Sequence, residues 1–307
     1  MIRVGVDGGQ SSIRLQVAGA ADSVVVGGVG RLEADPVRQV IERVAEAWEQ
    51  ANGSGASIDR MVLGLTTLPS SADGREEFAR LLAQAVPVQE VWLASDAVTA
   101  HAGAFPDAEG ISLTVGTGVA CMGINDAGES VRVDGDGFLL GDAGGAFWIG
   151  ARGVGAVLQE RDGRGPATAL SSACDARYGY HRDLAAHLHS LPRPVDEIAH
   201  FAVDVQAAAV AGDPLAAAII AAAADELVNA AVAAAATWHA GPAPVALSGR
   251  VVGEGTALRQ ALLPRLREAG LEVRDAAGSP LEGSLRLASA PEPGPYDHLI
   301  TYWKRSA

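Results

Sequence analysis

A glycine-rich phrase that occurs twice constrains this chain more than any other feature. The apolar segment Arg3–Val6 leads into Asp7-Gly8-Gly9-Gln10-Ser11, and an alternating apolar run follows. The same order recurs where Ile111–Val115 leads into Gly116-Thr117-Gly118 and a second apolar run. Each copy predicts a strand, a tight glycine turn and another strand. Because turns of this kind form concave anion-binding sites that a phosphate can approach closely, they favour nucleotide phosphates as the ligand.

Composition narrows the class of partner. The 307 residues are 49% hydrophobic and 20% charged, which is typical of a globular protein with one large domain or two ordinary ones. A net charge of −14 argues against nucleic acid or an anionic membrane as partner, since both require basic patches. A nucleotide stays possible because amide dipoles and a divalent cation can hold its phosphates. The two cysteines, Cys121 and Cys174, are too few for a disulfide framework and are expected to be buried thiols.

Strand and helix signals alternate along the first half, which predicts an α/β fold with a mostly parallel sheet. The second half opens on the repeated hairpin at 111–124, so two similar halves are expected. The first residues enter a strand without a secretory signal, which favours a cytoplasmic location. The alanine-rich segment Leu215–Ala236 contains Asp225 and Glu226, so it predicts a tightly packed helix and not a membrane span. Tyr296–Arg305 predicts a short amphipathic helix.

Two aspartates stand where chemistry is plausible. Asp7 ends a predicted strand beside the first glycine turn, where it can hold Mg²⁺ through water or serve only as a turn residue. Asp96 follows the apolar strand Val91–Ala94, and open α/β sheets bind ligands at the carboxyl ends of strands. Asp96 can therefore act as the general base of a phosphoryl transfer, as the N-cap of the next helix, or as both. His101, shortly after it, is predicted to pack.

The segment Gly135–Trp148 has the densest glycine content of the chain. Asp142 within it offers a carboxylate to sugar-like hydroxyls, and the alternative is a structural loop with a helix N-cap. Asp134 and Asp136 begin a calcium-loop pattern, but Gly145 stands where that loop needs glutamate, so it is excluded. No Gly-x-x-x-x-Gly-Lys-Ser/Thr sequence occurs, which excludes the common P-loop kinases and ATPases.

Taken in order, these motifs resemble the superfamily of acetate and sugar kinases, heat-shock proteins and actin. The nearest resemblance is to ATPases of the N-acetylglucosamine kinase and benzoyl-CoA-reductase-activator type, and it covers nearly the whole chain. The motifs that carry it are Gly5–Ser11, Ser95–Ala97, Val115–Gly118, Gly137–Trp148 and Ala246–Val251.

The resemblance implies two actin-like, ribonuclease-H-like α/β domains around a nucleotide cleft that takes ATP and Mg²⁺. It implies an N-terminal domain over 1–106, completed by a C-terminal helix over 295–307, and a second domain over 107–294. It further implies a homodimer that acts on a small-molecule sugar, with no nucleic-acid or membrane partner.

The same resemblance assigns roles to particular residues. Asp96 would deprotonate the 6-hydroxyl of an amino sugar, with N-acetylglucosamine or glucosamine as the leading substrates. Asp7 would organise Mg²⁺, while Asp142 and Gly137 would line the sugar together with Asp96. The residues assigned to the nucleotide are Gly8, Gly9, Gln10, Ser11, Gly116, Thr117, Gly118 and Gly249.

Two stretches depart from the family pattern. N-acetylglucosamine kinases carry a sugar-contacting asparagine in the loop after the second strand pair, whereas Gly27–Pro36 offers Arg31, Glu33 and Asp35. Their sugar-side loop commonly reads Gly-Asp-Glu-Gly-Ser, and here Gly141–Gly145 reads Gly-Asp-Ala-Gly-Gly. Different polar groups discriminate hydroxyl and amide patterns differently, so the identity of the sugar stays open.

Two other functions stay open. One is an ATPase that drives a partner reductase or dehydratase, although such activators share an iron–sulfur cluster through cysteines, and no cysteine pair here has cluster-ligand spacing. The other is a nucleotide-dependent interaction protein of the actin kind, without a sugar substrate.

Overall fold

The computed structural model describes residues 1–30, 33–52, 56–239 and 241–305. The chain divides into two compact units. The first unit takes in Met1–Gly110, Ala127–Glu129 and Asp275–Ala307, and the second takes in Ile111–Asp126 and Ser130–Arg274. The chain thus returns to the first unit at Asp275, earlier than the position 295 expected from the sequence.

The strands and helices of the described residues are as follows. The strands are β1 (Arg3–Gly8), β2 (Ser12–Val17), β3 (Val24–Gly27), β4 (Ile58–Leu65), β5 (Val88–Ser95), β6 (Gly110–Val115), β7 (Val119–Ile124), β8 (Ser130–Val133), β9 (Pro244–Ser248), β10 (Glu272–Arg274) and β11 (Thr301–Lys304). The α-helices are α1 (Pro36–Asn52), α2 (Ala72–Ala85), α3 (Asp96–Ala104), α4 (Ala146–Arg161), α5 (Leu170–Tyr178), α6 (Leu184–Ser190), α7 (Pro194–Val210), α8 (Pro214–Ala235), α9 (Ala257–Glu268) and α10 (Pro280–Ser289).

The first unit is built on a six-stranded sheet in the order β11-β5-β4-β1-β2-β3. β1, β4 and β5 are parallel, whereas β2, β3 and β11 pair antiparallel with their neighbours. Alternate residues of the central strands serve opposite faces. Val4, Val6 and Leu63 join the core formed with α1 and α2, while Gly5 and Gly64 lie against α10 and α3. The carboxyl ends of the three parallel strands lie in register, since Gly8 pairs with Leu65 and Leu65 with Ser95.

The second unit has a five-stranded sheet in the order β10-β9-β6-β7-β8. This order matches β5-β4-β1-β2-β3 of the first unit, so the repeated phrase marks a repeated topology. Its core is formed by the sheet with helices α4–α9. Among the described residues, α8 is the one helix that is long and apolar enough to span a bilayer by length and composition. Its Ile220 and Leu227 are buried in the core of the unit, as expected for a core helix, which passes the same test.

Two expectations about the first unit are wrong. Its sheet is mixed and not mostly parallel, because the β1–β3 meander and β11 all pair antiparallel. The expected helix over 296–305 is instead a 3-10 turn, Gly294–Leu299, followed by β11. β11 pairs with the otherwise open edge of β5, and its Trp303 packs on the core while Tyr302 stacks edge-on against Trp92. Backbone pairing and alternate aromatic burial therefore prevail over the helical pattern.

Candidate functional site

The first glycine turn joins β1 to β2 and is tied to two neighbouring segments. The Gly9 N–H closes the turn on the Ser12 carbonyl at 2.9 Å, and the Gly28 N–H reaches the Ser11 carbonyl at 3.2 Å. From the loop after β4, the Thr66 N–H donates to the Gly8 carbonyl at 2.9 Å. Since these bonds fix the turn from both sides, it is a preformed element of the unit.

Asp7 is the penultimate residue of β1, and its carboxylate is largely removed from solvent. Its carboxylate lies 3.6 Å from the Arg14 guanidinium, directly across the β1–β2 pair, and its side chain is 17% exposed. Burial raises the pKa of Asp7 to about 6, the Arg14 cation opposes that rise, and the nearby charge of Asp96 adds to it. A desolvated carboxylate whose ion pair with Arg14 is as long as 3.6 Å is suited to accept a further cation.

Asp96 begins α3 at the carboxyl end of β5. Its Oδ1 accepts the Ala97 N–H at 2.9 Å, and its Oδ2 accepts the Thr66 hydroxyl at 2.5 Å. Both carboxylate oxygens are thereby oriented. The register of β1, β4 and β5 places Asp7 and Asp96 at the same edge of the sheet, and the charge of Asp96 contributes to the raised pKa of Asp7. The predicted N-cap position belongs to Ser95, whose side chain makes no capping bond.

The second glycine turn joins β6 to β7 and is held by the start of α4. The Gly116 N–H closes the turn on the Gly118 carbonyl at 2.9 Å. The first two amides of α4, those of Ala146 and Phe147, donate to the carbonyls of Gly116 and Thr117 at 2.9 and 3.0 Å. The turn thus satisfies N–H groups that a helix start otherwise leaves without partners.

Asp142 lies against this second turn. A Cβ placed on Gly118 would come within 2.2 Å of the Asp142 carboxylate, so glycine is needed for that approach. Asp142 is 7% exposed and takes the left-handed conformation, with φ of 59°, which aspartate tolerates. Its N–H donates to Asp134 Oδ1 at 2.7 Å, and the Ala143 N–H donates to Asp134 Oδ2 at 3.0 Å.

Gly137 belongs to the same loop. It has a φ of 91°, and its carbonyl accepts the N–H groups of Leu140 and Gly141 at 3.0 and 2.8 Å. Asp134, where the calcium pattern failed, is the organiser of the loop: it also accepts the Gly135 N–H at 2.7 Å. The sequence did not reveal that role. Asp134 accepts three backbone N–H groups, and bonds to the backbone leave no pattern of side-chain types in the sequence.

Gly249 follows β9 and has a structural reason to be glycine. Its φ is 102°, and a Cβ there would lie 2.1 Å from the Val115 carbonyl oxygen. Gly116 and Gly9 differ from it: neither has a positive φ, a Cβ on Gly116 would meet nothing within 4 Å, and one on Gly9 would meet only the Ser12 oxygen at 3.7 Å. Nothing in the packing of the units therefore requires glycine at these two positions.

The remaining candidates behave as packing or capping residues. His101 is fully buried between the Tyr296 hydroxyl at 3.0 Å and the Gly110 carbonyl at 2.9 Å, and burial lowers its pKa to about 4. Glu33 and Asp35 accept the N–H groups of nearby residues, and Arg31 lies outside the described residues.

Thr66 is the site residue that sequence reasoning missed. The available signal was a hydroxyl immediately after β4, the strand that lies between the strands of Asp7 and Asp96. Both cysteines are buried, and burial raises the pKa of Cys121 to about 12 and of Cys174 to about 11, which makes them poor thiolates.

The donor set at Asp7 suits a magnesium ion. In the part of the chain that the structure describes, no group of three His, Cys, Asp or Glu side chains converges as an all-protein metal site. Mg²⁺ is ordinarily bound through one or two carboxylates with phosphate oxygens and water, so the buried Asp7 carboxylate fits that pattern.

Two α/β units with one strand order, each opening on a glycine turn, define the class as the actin-like ATPase fold. The chain belongs to the BadF/BadG/BcrA/BcrD ATPase family, whose model matches residues 4–283. The resemblance inferred from the motifs and the actin-like α/β fold class are thereby confirmed.

This chain is similar in sequence to two named sugar kinases, to one over most of its length and to the other over less than half. It is 26% identical over 298 residues to the glucosamine kinase GspK of Vibrio cholerae, covering 94% of this chain and 96% of that protein. It is 32% identical over 126 residues to the N-acetylmuramic acid/N-acetylglucosamine kinase of Clostridium acetobutylicum, covering 40% and 41%. A solved candidate N-acetylglucosamine kinase from Chromobacterium violaceum matches with a TM-score of 0.74 at 25% identity, covering 94% of this chain and 99% of that one.

Proposed function

We propose that this protein is an ATP-dependent amino-sugar kinase that transfers the γ-phosphoryl group to the 6-hydroxyl of glucosamine or N-acetylglucosamine. The observation that carries the proposal is the pair of carboxylates, Asp7 and Asp96, at one sheet edge beside a preformed glycine turn. The full-length similarity to a glucosamine kinase and the membership of an ATPase family support it.

Asp96 is the general base. Its Oδ atoms are oriented by Thr66 and Ala97, and it takes the proton of the sugar hydroxyl as that oxygen forms its bond to the γ-phosphorus. The bond from the γ-phosphorus to the bridging oxygen breaks, and ADP leaves.

The two glycine turns bind phosphates in this proposal. Gly9 and Gly116 use their own N–H groups to close the turns, so they contribute space for close approach and not a donor. Gly8, Gln10, Ser11, Thr117 and Gly118 complete the phosphate contacts, and Gly249 provides the adenosine-side bend. Asp7 would hold Mg²⁺, which would supply positive charge to the phosphates.

On the sugar side, Asp142 and Gly137 line the acceptor site with Asp96. Asp134 fixes their loop through backbone hydrogen bonds, so the loop keeps one shape before a sugar binds. We further propose that the protein acts in the cytoplasm, where ATP is supplied, and that it forms a homodimer. Light scattering of the purified protein tests the oligomeric state.

The deciding experiment is an ADP-release screen with Mg²⁺ATP and glucosamine, N-acetylglucosamine, N-acetylmuramic acid, glucose and mannose. We expect slow release without sugar, a large stimulation by an amino sugar, and a 6-phosphate product by mass and NMR. Release that no sugar stimulates would favour a reductase-activating ATPase or an interaction protein. The buried, weakly acidic cysteines give no support to the first of these.

A further inference from the structure

The loop after β4 links the first glycine turn to the proposed base. Thr66 donates its N–H to the Gly8 carbonyl at 2.9 Å and its hydroxyl to Asp96 Oδ2 at 2.5 Å. We propose that Thr66 is a positioning residue whose hydroxyl holds the Asp96 carboxylate in its reactive orientation and aligns it with the phosphate turn. This inference rests on the proposed function, in which Asp96 is the base.

The backbone of Asp96 is already fixed without Thr66. α3 packs on β4 so closely that a Cβ on Gly64 would lie 1.9 Å from Thr99 Oγ1, and that same hydroxyl donates to the Asp96 carbonyl at 3.1 Å. The freedom that remains is rotation of the carboxylate itself. The Ala97 N–H restrains one oxygen at 2.9 Å, and the Thr66 hydroxyl restrains the other.

A hydroxyl that donates to a carboxylate makes a short, charge-assisted bond, which is stronger than a bond between neutral groups. Such a bond confines the acceptor lone pairs of the carboxylate to fixed directions. A base that must meet a hydroxyl proton within hydrogen-bond reach gains from that confinement, because misplacement lowers the rate of transfer even when substrates still bind.

Two contacts of Thr66 can be separated experimentally. The bond to Gly8 uses the backbone N–H and survives any side-chain change, whereas the bond to Asp96 uses only the hydroxyl. The next residue, Thr67, supplies a matched control: its Oγ1 is buried and has no hydrogen-bond partner among the described residues.

The experiment compares Thr66→Val, Thr66→Ser and Thr67→Val in the full chain, with the best sugar from the screen. Thr66→Val is expected to lower kcat on the order of 10- to 100-fold while the KM for ATP stays within about twofold. Thr66→Ser keeps the hydroxyl and is expected to retain kcat within about threefold of wild type. Thr67→Val is expected to match wild type in kcat and to melt at the same temperature or higher, since it removes an unsatisfied buried group.

A coupling measurement distinguishes positioning from a general loosening of the loop. Asp96→Glu moves the carboxylate away from Thr66, so adding Thr66→Val to Asp96→Glu is expected to have little further effect on kcat. Additive losses would indicate an independent structural role and overturn the inference.

Other outcomes are equally decisive. If wild type shows no sugar-stimulated turnover, the proposed function fails and Thr66 loses its role with it. If wild type turns over but Thr66→Val equals Thr67→Val, or if Thr66→Ser falls as far as Thr66→Val, the inference alone is wrong. Thermal melting of every variant identifies a folding defect, and Thr66→Ala then replaces Thr66→Val in the comparison.

Discussion

The two glycine turns occupy the same place in two units of one topology, yet they are built differently. At the penultimate position of the central strand, the first unit has Asp7 and the second has Thr114. Asp7 lies against Arg14 and feels the charge of Asp96, whereas the Thr114 hydroxyl pairs with the Ser248 hydroxyl at 2.8 Å. Equivalent positions of one topology thus hold a charged carboxylate in the first unit and a pair of neutral hydroxyls in the second.

The supports of the turns differ in the same sense. The first turn is held by the loop that also restrains Asp96, while the second is held by the first amides of α4 and covered by Asp142. A duplicated fold therefore need not duplicate its chemistry. We infer that the first unit supplies the reacting groups and that the second mainly binds.

The largest effect should come from Asp96, the proposed base. Asp96→Asn keeps the size and the Ala97 contact but cannot accept a proton, so kcat is expected to fall about 10³-fold with little change in ATP affinity. Turnover kinetics and nucleotide titration measure the two quantities. Asp22→Asn, an exposed carboxylate of the same unit, is the control. Turnover that survives in Asp96→Asn removes Asp96 as the base.

Separate substitutions of the two counterpart residues, Asp7 and Thr114, test whether the two units differ in their chemistry. Asp7→Asn is expected to lower Mg²⁺-dependent kcat/KM by about 10²-fold, since the proposed metal ligand loses its charge, whereas Thr114→Val should change it less than about fivefold. Equal losses from both substitutions would mean that the two halves share the chemistry.

Asp7→Asn should also alter stability. The folded-state pKa of about 6 lies above the ordinary aspartate pKa of 3.8, so the nucleotide-free protein gains stability from Asp7 protonation below pH 4 and loses it as pH rises through 6. At pH 7.5 the asparagine variant is expected to be more stable by about 1–3 kcal/mol. Urea unfolding at pH 4.5 and 7.5 measures this difference, which should shrink at the lower pH. An Asp7→Asn variant that is less stable than wild type at pH 7.5 would contradict the conclusion that the buried charge of Asp7 destabilises the fold.

The glycines of the second turn separate a ligand requirement from a folding requirement. Gly116→Ala meets no protein atom within 4 Å, so the fold should persist while the KM for ATP rises about tenfold through contact with phosphate. Gly118→Ala meets the Asp142 carboxylate at 2.2 Å and should cost about 1–3 kcal/mol of folding free energy. Melting curves and ATP kinetics of both variants check this, and an unchanged KM in Gly116→Ala counts against phosphate binding there.

The repeated phrase and the alternating strand and helix signals were sufficient to predict an α/β fold with two similar halves, because glycine turns and buried apolar strands are local signals. The actin-like class came from the family resemblance that the five motifs carry together. The end of the chain was not predictable in the same way. β11 forms because β5 offers an open edge, and α10 packs on α3 and β1, where Ser284 donates to the Val6 carbonyl at 2.9 Å. Thr66 escaped for a related reason: its partner, Asp96, lies on another strand and becomes a neighbour only through the sheet register.

The smallest expected effect comes from a substitution in α4 beyond the residues that bond to the second glycine turn. Gly155 lies within α4, beyond the amides that hold that turn, and a Cβ there would meet nothing within 4 Å. Because alanine loses less conformational freedom in a helix, Gly155→Ala is expected to raise the free energy of unfolding by about 0.5–1 kcal/mol. Turnover should stay at the wild-type value, since the backbone hydrogen bonds from α4 to Gly116 and Thr117 come from its first two residues, Ala146 and Phe147. A loss of activity in a stabilised Gly155→Ala protein would mean that flexibility of α4 itself takes part in catalysis, and the second unit would then be more than a binding platform.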